Sequence, residues 1–472
     1  MSVTAAGAAP VATPAGAPVE RVEAMRDDGR RFMAASAPRS PAVHLLATDA
    51  GQHVFVADGS RLFDADARLA ARLAAAIDGD QLDALLDDIG VGGVPYIDDE
   101  PLTAPPVHAI SLAIAQKCNL GCTYCYAQQG EFGGPARNME REAAERAVDL
   151  LVNGAAPGAR LNLAFLGGEP LANRALLQET TRRAATMAAA RGVTLGFSIT
   201  TNGTLLTAAD ADFFEAFGFA VTVSLDGPRA AHDAQRPYKG GQGSFDRIVR
   251  NLAPMFEKQR RMQVTARVTV TPRNLMLRQT LDEFIAAGFH TVGFSPLLRS
   301  PTGAGELERG DLEVMLGEMI DCGREFERRT IAGERYPFAN MLNALREIAR
   351  GTHRPYPCGA GAGYLAVSAE GELAACHRFV GDAEGAMGSL AEGIDATRRA
   401  TWLRERHVHQ QEPCTSCWAR YLCGGGCHHE VIARGRPACD YIRGWLHYCL
   451  GAYLRLTPYG LGHDPRIPRE VA

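Results

Sequence analysis

The chain predicts an α/β protein: a parallel sheet of six β–α units that stops short of a closed barrel, a small module before it and a cysteine-rich region after it. Three observations carry this reading of the 472 residues. Six β-type runs alternate with helical stretches from about 108 to 330. Two short β-type runs and two helical ones precede them, between 43 and 95. Of the twelve cysteines, three lie at 118–125 and eight between 358 and 449, with Cys322 alone between.

Taken in order, residues 1–40 read as a disordered Ala/Pro/Gly tail, without the basic and apolar regions of a signal peptide. Residues 41–100 form a small independent module. "DDEPLTAPP" reads as a linker. The central domain spans 104–335, with strands "HAISLAIAQ", "RLNLAFLGG", "TLGFSITTNG", "FAVTVSLDG", "QVTARVTVT" and "TVGFSPLL". Helices separate them; in "NMEREAAERAVDLL", Asn138 is the candidate N-cap. Successive β–α units argue for a parallel sheet. With six rather than eight, an open partial barrel and a Rossmann-like sheet both stand. In barrel-like folds the chemistry sits at the C-terminal strand ends. Cys118, Gly167, Asn202 and Asp226 follow strands one to four. Residues 336–455 hold the later cysteines, and 456–472 form a C-terminal tail.

Hydrophobic content of 46%, charged content of 22% and a net charge of −5 are ordinary for a globular protein. They give no sign of nucleic acid or membrane as the main partner. No apolar run approaches the roughly 18 residues of a membrane span. A cytoplasmic protein is expected. Clustered cysteines in a reducing compartment point to metal before disulfide.

"QKCNLGCTYCYAQQG" places Cys118, Cys122 and Cys125 within one loop, with Tyr124 before the last. Thiolates suit iron–sulfur clusters or zinc. A structural zinc site takes four ligands, so three leave a metal corner open unless a distant residue completes it. The C-x3-C-x2-C spacing resembles the signature of the radical S-adenosylmethionine superfamily. The resemblance implies a 4Fe–4S cluster on these three thiols. Its open iron would bind the amino and carboxylate groups of S-adenosylmethionine, whose cleavage yields a 5′-deoxyadenosyl radical. "GGEP" (Gly167, Gly168, Glu169, Pro170) matches the element that holds the methionine amino group. Asn202 in "TTNG" and Ser224 in "SLDG" match strand-end elements near the cofactor. In "VTARVTV", Arg267 alternates with apolar neighbours. It either pairs with the methionine carboxylate from the inner face or lies outward in solvent. Asp226 and Asp233 are the candidate catalytic bases; the first could instead cap a turn, the second pair with Arg236.

Farther on, Cys358, Gly371 and Cys376 precede "CTSCWARYLCGGGC" (Cys414, Cys417, Cys423, Cys427) and Cys439. The series resembles the SPASM domain, and zinc ribbons are the alternative. The resemblance implies auxiliary 4Fe–4S cluster one on Cys358, Cys376 and Cys427. Cluster two would lie on Cys414, Cys417, Cys423 and Cys439, making three clusters in all. The fourth corner of cluster one falls to Cys449 or stays open for a substrate thiolate. Cys449 shares a helical face with Ile442, Trp445, Leu446 and Tyr453, and Cys322 also reads as a packed helical residue.

"CGAGAGYLAVSAEGELAACHRF" and "CWARYLCGGGCHHE" are similar to SCIFF-type peptide maturases and to quinohemoprotein amine dehydrogenase maturation proteins. Both install thioethers from cysteine sulfur to carbon. Formylglycine-forming sulfatase maturases share the SPASM pattern, but have an Asp base after the cysteine matching Cys376; here His377 stands there. The N-terminal module resembles a winged-helix peptide-recognition element, whose strand edge takes an extended peptide by β-augmentation; a purely structural module is the other reading. The expected partners are a peptide or small protein with a leader segment, and a flavodoxin- or ferredoxin-type electron donor. Other peptide oxidations (a carbon–carbon link or formylglycine) remain open. So does a different class, an iron–sulfur carrier or zinc-stabilised binding protein.

Overall fold

The computed structural model describes residues 19–460; the parts of the expected tails at 1–18 and 461–472 lie outside the described residues. Helix α1 (Val19–Ala35) leads into an antiparallel sheet of β1 (Val43–Thr48), β2 (Gly51–Val56) and β3 (Arg61–Ala65), then α2 (Ala67–Ile77) and α3 (Leu82–Asp88). The central domain runs β4 (Ala109–Gln116), the short β5 (Arg137–Asn138), α4 (Arg141–Asn153), β6 (Arg160–Gly167), α5 (Arg174–Arg191), β7 (Thr194–Thr201), α6 (Ala208–Phe217) and β8 (Ala220–Ser224). It continues through α7 (Arg229–Gln235), α8 (Phe245–Lys258), β9 (Gln263–Val270), α9 (Leu277–Ala287), β10 (Thr291–Pro296) and α10 (Arg309–Ile331). The C-terminal region holds α11 (Ala339–Ala349), β11 (Tyr364–Val367), β12 (Glu372–Ala374), β13 (Ala386–Ser389), β14 (Gly393–Ile394), α12 (Ala396–Arg406), α13 (Arg420–Cys423), α14 (His428–Arg434) and α15 (Cys439–Leu456).

The six expected strands are present and lie in the order β10-β9-β8-β7-β6-β4, each parallel to its neighbour. In β9, Val264, Ala266, Val268 and Val270 are fully buried, while Thr265, Arg267 and Thr269 alternate to the other face. That period of two fixes which side chains the sheet offers to its inner side. Beyond β4 the sheet goes on: β11 pairs parallel to it, and β12, β13 and β14 follow antiparallel. The cysteine-rich region is therefore built onto the edge of the central sheet. Strands β10 and β14 end the sheet without pairing each other, so the barrel is open.

Three expectations need correction. Residues 19–35 are a helix, not tail. Its Gly29 packs so close to α10 that a Cβ would stand 1.9 Å from the Glu313 carbonyl oxygen, and one on Gly317 would stand 2.0 Å from Met25 O. Ion pairs Arg21–Glu318 and Arg30–Glu313, each 2.9 Å, flank that contact. The module is not independent either. Val54 and Val56 join α2 and α3 in a small core of their own, but Leu46 and Phe55 join the main core. Asn138 does not cap α4; it pairs with Ala115 in the β4–β5 bridge, and Glu140 takes the cap position.

Candidate functional site

The loop after β4 is tied down by backbone bonds to the segment that ends α7. Gly121 N–H donates to Pro237 O at 2.8 Å, Thr123 N–H to Gln235 O at 3.0 Å, and Lys239 N–H to Asn119 O at 3.2 Å. Cys118 Sγ accepts from Leu120 N at 3.4 Å and from Asn202 Nδ2 at 3.6 Å, donors that suit a thiolate. Burial pushes the Cys122 thiol up to about 12; Cys125 and Cys118 oppose its ionisation too, while Arg236 favours it. Burial likewise raises Cys118, with Cys125 adding to it. The three thiols thus share one locale.

They open onto a cleft of about 220 Å³ at the C-terminal ends of the strands. Tyr124, Gly167, Gly168, Asn202, Ser224 and Arg267 line it as expected. Gly167 (φ 140°) and Gly168 sit where the strand ends press together. A Cβ there would stand 2.4 Å from Ala115 O and 2.3 Å from Lys117 O respectively, so only glycine fits. Arg267 lines the cleft from β9: the solvent in the cleft reaches its side chain, but the surrounding walls strip most of the water from it. Arg236, Arg299 and Arg378 line it as well, with Tyr126 and His377. Among the lining residues there is no Asp or Glu. Burial, then the neighbouring Arg378, pushes the Arg267 guanidinium down.

Glu169 and Pro170 lie behind the lining. The Glu169 carboxylate is fully buried and accepts from Thr201 Oγ1 at 2.7 Å, Asn202 N at 2.8 Å and Leu171 N at 3.1 Å. It fixes the turn that carries Asn202. The two expected bases are likewise absent from the cleft. Asp226 is 0% exposed. It accepts a hydrogen bond from the Tyr124 hydroxyl and, at 2.9 Å, one from the Thr269 N–H. Arg236 Nη1 donates to Tyr124 Oη at 2.5 Å and stands 3.9 Å from Asp226 Oδ2. Burial raises the Asp226 carboxyl against the pull of Arg236. Asp226 is the buried counter-charge of Arg236, and through Tyr124 it braces the cysteine loop. Asp233 accepts from Ser244 N at 2.8 Å and Phe245 N at 2.9 Å, so it caps α8 rather than pairing with Arg236.

The later cysteines fall into two further groups. Burial raises Cys358 and pushes Cys376 up to about 12; Cys427 opposes ionisation of both, and Cys358 that of Cys376. Burial also pushes Cys414 up to about 12, with Cys423, Cys439 and Cys417 as its thiol neighbours. Cys417 and Cys439 press on Cys423 in the same way. These are the groupings of three and four that the sequence resemblance implied. Among the described residues no three His, Cys, Asp or Glu side chains converge tightly enough for a single metal ion. Tyr126 stands between the first set and the second, with Cys125 and Cys376 both opposing its ionisation. Cys449 belongs to neither: it is fully buried, its Sγ 3.9 Å from Met341 Sδ. Cys322 is buried in α10.

Tyr126, Arg236, Arg299, Arg378 and His377 were not read as lining residues. Tyr126 and His377 each directly follow a motif cysteine, which was a usable signal. The arginines carry none.

Residues 112–285 match the model of the Radical SAM superfamily. The serine-type anaerobic sulfatase-maturating enzyme of Klebsiella aerogenes is 26% identical over 348 residues, 71% of this chain and 83% of that one. An uncharacterized protein of Archaeoglobus fulgidus is 27% identical over 342 residues, 70% of this chain and 77% of that one. Among solved structures, native anSMEcpe with bound AdoMet aligns with a TM-score of 0.61 at 20% identity, over 74% of this chain and 98% of that one. Streptococcus suis SuiB bound to precursor peptide SuiA aligns with a TM-score of 0.51 at 13% identity, over 84% of this chain and 97% of that one. These structural likenesses concern the fold: a large parallel sheet with a cysteine-rich C-terminus.

Proposed function

We propose that this chain, an enzyme that carries a radical SAM domain, modifies a ribosomally made peptide or small protein by installing a thioether from a cysteine sulfur to carbon. The observation that supports this most is the grouping of ten thiols into sets of three, three and four, the first opening on the cleft. In this reading Cys118, Cys122 and Cys125 hold a 4Fe–4S cluster, and Asn202 and the backbone at Gly167 and Gly168 border the S-adenosylmethionine beside it. Arg267 faces the methionine carboxylate. Cys358, Cys376 and Cys427 hold one auxiliary cluster; Cys414, Cys417, Cys423 and Cys439 hold another. When bound, the cofactor supplies a 5′-deoxyadenosyl radical that takes one hydrogen atom from the substrate. Carbon–sulfur bond formation then leaves one proton and one electron over. The chain's own contribution is to shield the cleft and fix its geometry through the Tyr124–Asp226–Arg236 network.

The similarity to sulfatase-maturating enzymes supports a peptide or protein substrate. anSMEcpe was solved with a Cp18Cys peptide and SuiB with its precursor peptide. In the N-terminal module β3 is an outer strand, paired only with β2. Beside it lies a groove between Phe63 and the Leu86–Val91 segment, open for an extended leader. A flavodoxin- or ferredoxin-type protein would donate the electron. No helix among the described residues is long and apolar enough to cross a membrane, and we place the reaction in the cytoplasm.

Formylglycine formation is the second reading, favoured by the Klebsiella relative. His377 in place of the Asp expected after Cys376 weighs against it. The test is anaerobic incubation with S-adenosylmethionine, dithionite and a candidate cysteine-containing peptide. A thioether product is lighter by two hydrogen atoms and no longer alkylates with iodoacetamide. Formylglycine formation consumes no other thiol and leaves an aldehyde that hydrazide reagents capture. Absence of 5′-deoxyadenosine from reconstituted enzyme would return the chain to the iron–sulfur carrier or binding-protein class.

A further inference from the structure

The N-terminal module is seated on the four-thiol set, not on the cleft. Trp418, one residue past Cys417, is 1% exposed. Its ring stacks on His44 of β1, centroids 4.0 Å apart and planes within 7°. Phe55 of β2 meets it edge-on at 5.8 Å. Its indole N–H donates to Ser36 O, at the end of α1, at 2.9 Å. His44 also shares a 2.8 Å ring-nitrogen hydrogen bond with His447 of α15, the helix that begins at Cys439. Arg420 ties the same loop down from the other side, donating to Pro41 O and, at 3.2 Å, to Cys417 O.

Two of the four thiol-bearing segments are therefore gripped by residues nearly 400 positions away in sequence. A buried Trp brings a large contact area and one N–H that must be satisfied. Here the main chain after α1 satisfies the N–H, and the module's sheet covers the ring. The thiols beside it must hold a fixed spacing to ligate a cluster, and rigid supporting contacts of this kind set such spacings. Among the described residues, no hydrogen bond or ring contact of this kind links the module to the Cys118–Cys125 loop.

We infer that the module is a structural part of the four-thiol site: Trp418, clamped by His44 and Phe55, is a positioning residue that holds the Cys414–Cys417 loop in ligating geometry. This rests on the reading that the set holds a cluster. It also gives the module a second role beside peptide capture, and places the leader's docking domain in direct contact with the auxiliary site.

The test uses full-length protein reconstituted anaerobically, read by iron per chain and by the electron paramagnetic resonance of the dithionite-reduced state. His44→Ala changes no residue near a cysteine in sequence. It and Trp418→Ala should each lose about a third of the iron together with one of three spectral components. Trp418→Phe, which keeps a ring between His44 and Phe55, should retain most of both. Uncoupled cleavage of S-adenosylmethionine should continue in all three, because the Cys118–Cys125 loop is untouched. Full iron and an unchanged spectrum in both alanine variants would overturn the brace. Wild-type protein with only a single cluster would fail the cluster reading itself, and the brace with it. If Trp418→Ala proves insoluble, His44→Ala decides alone.

Discussion

The two three-thiol sets and the four-thiol set present the same side chain at different depths. No thiol of the first two is fully covered: Cys118, Cys122, Cys125 and Cys376 are half-buried, and Cys358 and Cys427 are exposed. In the four-thiol set, Cys414 and Cys417 are buried, and Cys423 and Cys439 are half-buried. Burial raises the Cys439 thiol against the pull of Arg443 and Arg436; Arg436 also donates to Gly425 O, and Trp418 is buried beside the set. On the proposed reading, the sets with three thiols lie nearer solvent and the set with four lies deeper, so exchange chemistry would fall to the first and electron storage to the second.

The largest effect should come from emptying an open set. Replacing Cys118, Cys122 and Cys125 together by Ala should abolish 5′-deoxyadenosine formation. It should also remove about four of about twelve irons per chain, four for each Cys-ligated cluster. The same triple change at Cys414, Cys417 and Cys423 should remove as much iron yet leave uncoupled cofactor cleavage measurable. Equal losses of cleavage would break the contrast between the sets.

Next is the buried charge behind the first set. Arg236→Gln would leave Asp226, which is 0% exposed, without its counter-charge. Breaking one partner of a buried pair costs about 3–5 kcal/mol. Urea unfolding of the metal-free protein should register that loss. Asp226→Asn with Arg236→Gln should recover part of it, since no unpaired charge remains. If Asp226 were instead a catalytic base, Asp226→Asn alone would abolish product with little loss of stability.

Much of this was legible beforehand, for physical reasons. The β9 alternation of Val264, Ala266, Val268 and Val270 with Thr265, Arg267 and Thr269 announced the strand, but left open whether Arg267 faces the cleft or solvent; the structure puts it in the cleft lining. The spacing within 118–125 marked one group of thiols, whereas the split of the later cysteines into three and four came only from the SPASM resemblance, since Cys358, Cys376 and Cys427 lie far apart in sequence. What was hidden depends on long-range contact. Helix α1 shows little apolar face, because its tightest contact is a glycine, Gly29, and its edges are arginines. The burial of Asp226 follows from Arg236 and Tyr124 meeting it from elements far apart. The pairing of β11 beside β4 joins segments some 250 residues apart, which no local pattern reports. The role of Trp418 needed the module's position.

Acid should separate the module's seat from the barrel. Burial lowers His44 to about 3 and His447 to about 4; in the barrel it lowers His232 to about 3. A neutral histidine with a lowered folded pKa contributes its full stability above the unfolded value of about 6.5. That contribution is lost as pH falls from there toward the folded value, at about 1.4 kcal/mol per unit. At pH 5 each histidine would then cost about 2 kcal/mol. The seat contains two adjacent ones, the barrel one. Hydrogen exchange at pH 7 and pH 5, corrected for intrinsic rates, should show β1 losing more protection than β8. His44→Gln should reduce the difference.

The smallest expected effect tests whether the second set is truly open. Cys449 is the one further thiol within the C-terminal region, and the alternative has it closing the set of Cys358, Cys376 and Cys427. The structure puts it on the buried face of α15 against Met341. Burial raises its thiol well above the ordinary range, with Glu327 as the next influence and no other cysteine among the causes. It behaves as a small apolar side chain. Cys449→Ala should therefore keep all the iron, cost about 1 kcal/mol of stability and still form product. The free corner then belongs to substrate. A peptide with its cysteine intact should perturb the spectrum of that cluster in wild type and in Cys449→Ala alike, since coordination favours the thiolate. The Cys→Ser peptide should bind through its leader without perturbing it and give no cross-link. A Cys449→Ala enzyme that loses one cluster, with a wild-type spectrum indifferent to substrate, would show that both C-terminal sets are closed and that the contrast between them is only one of depth.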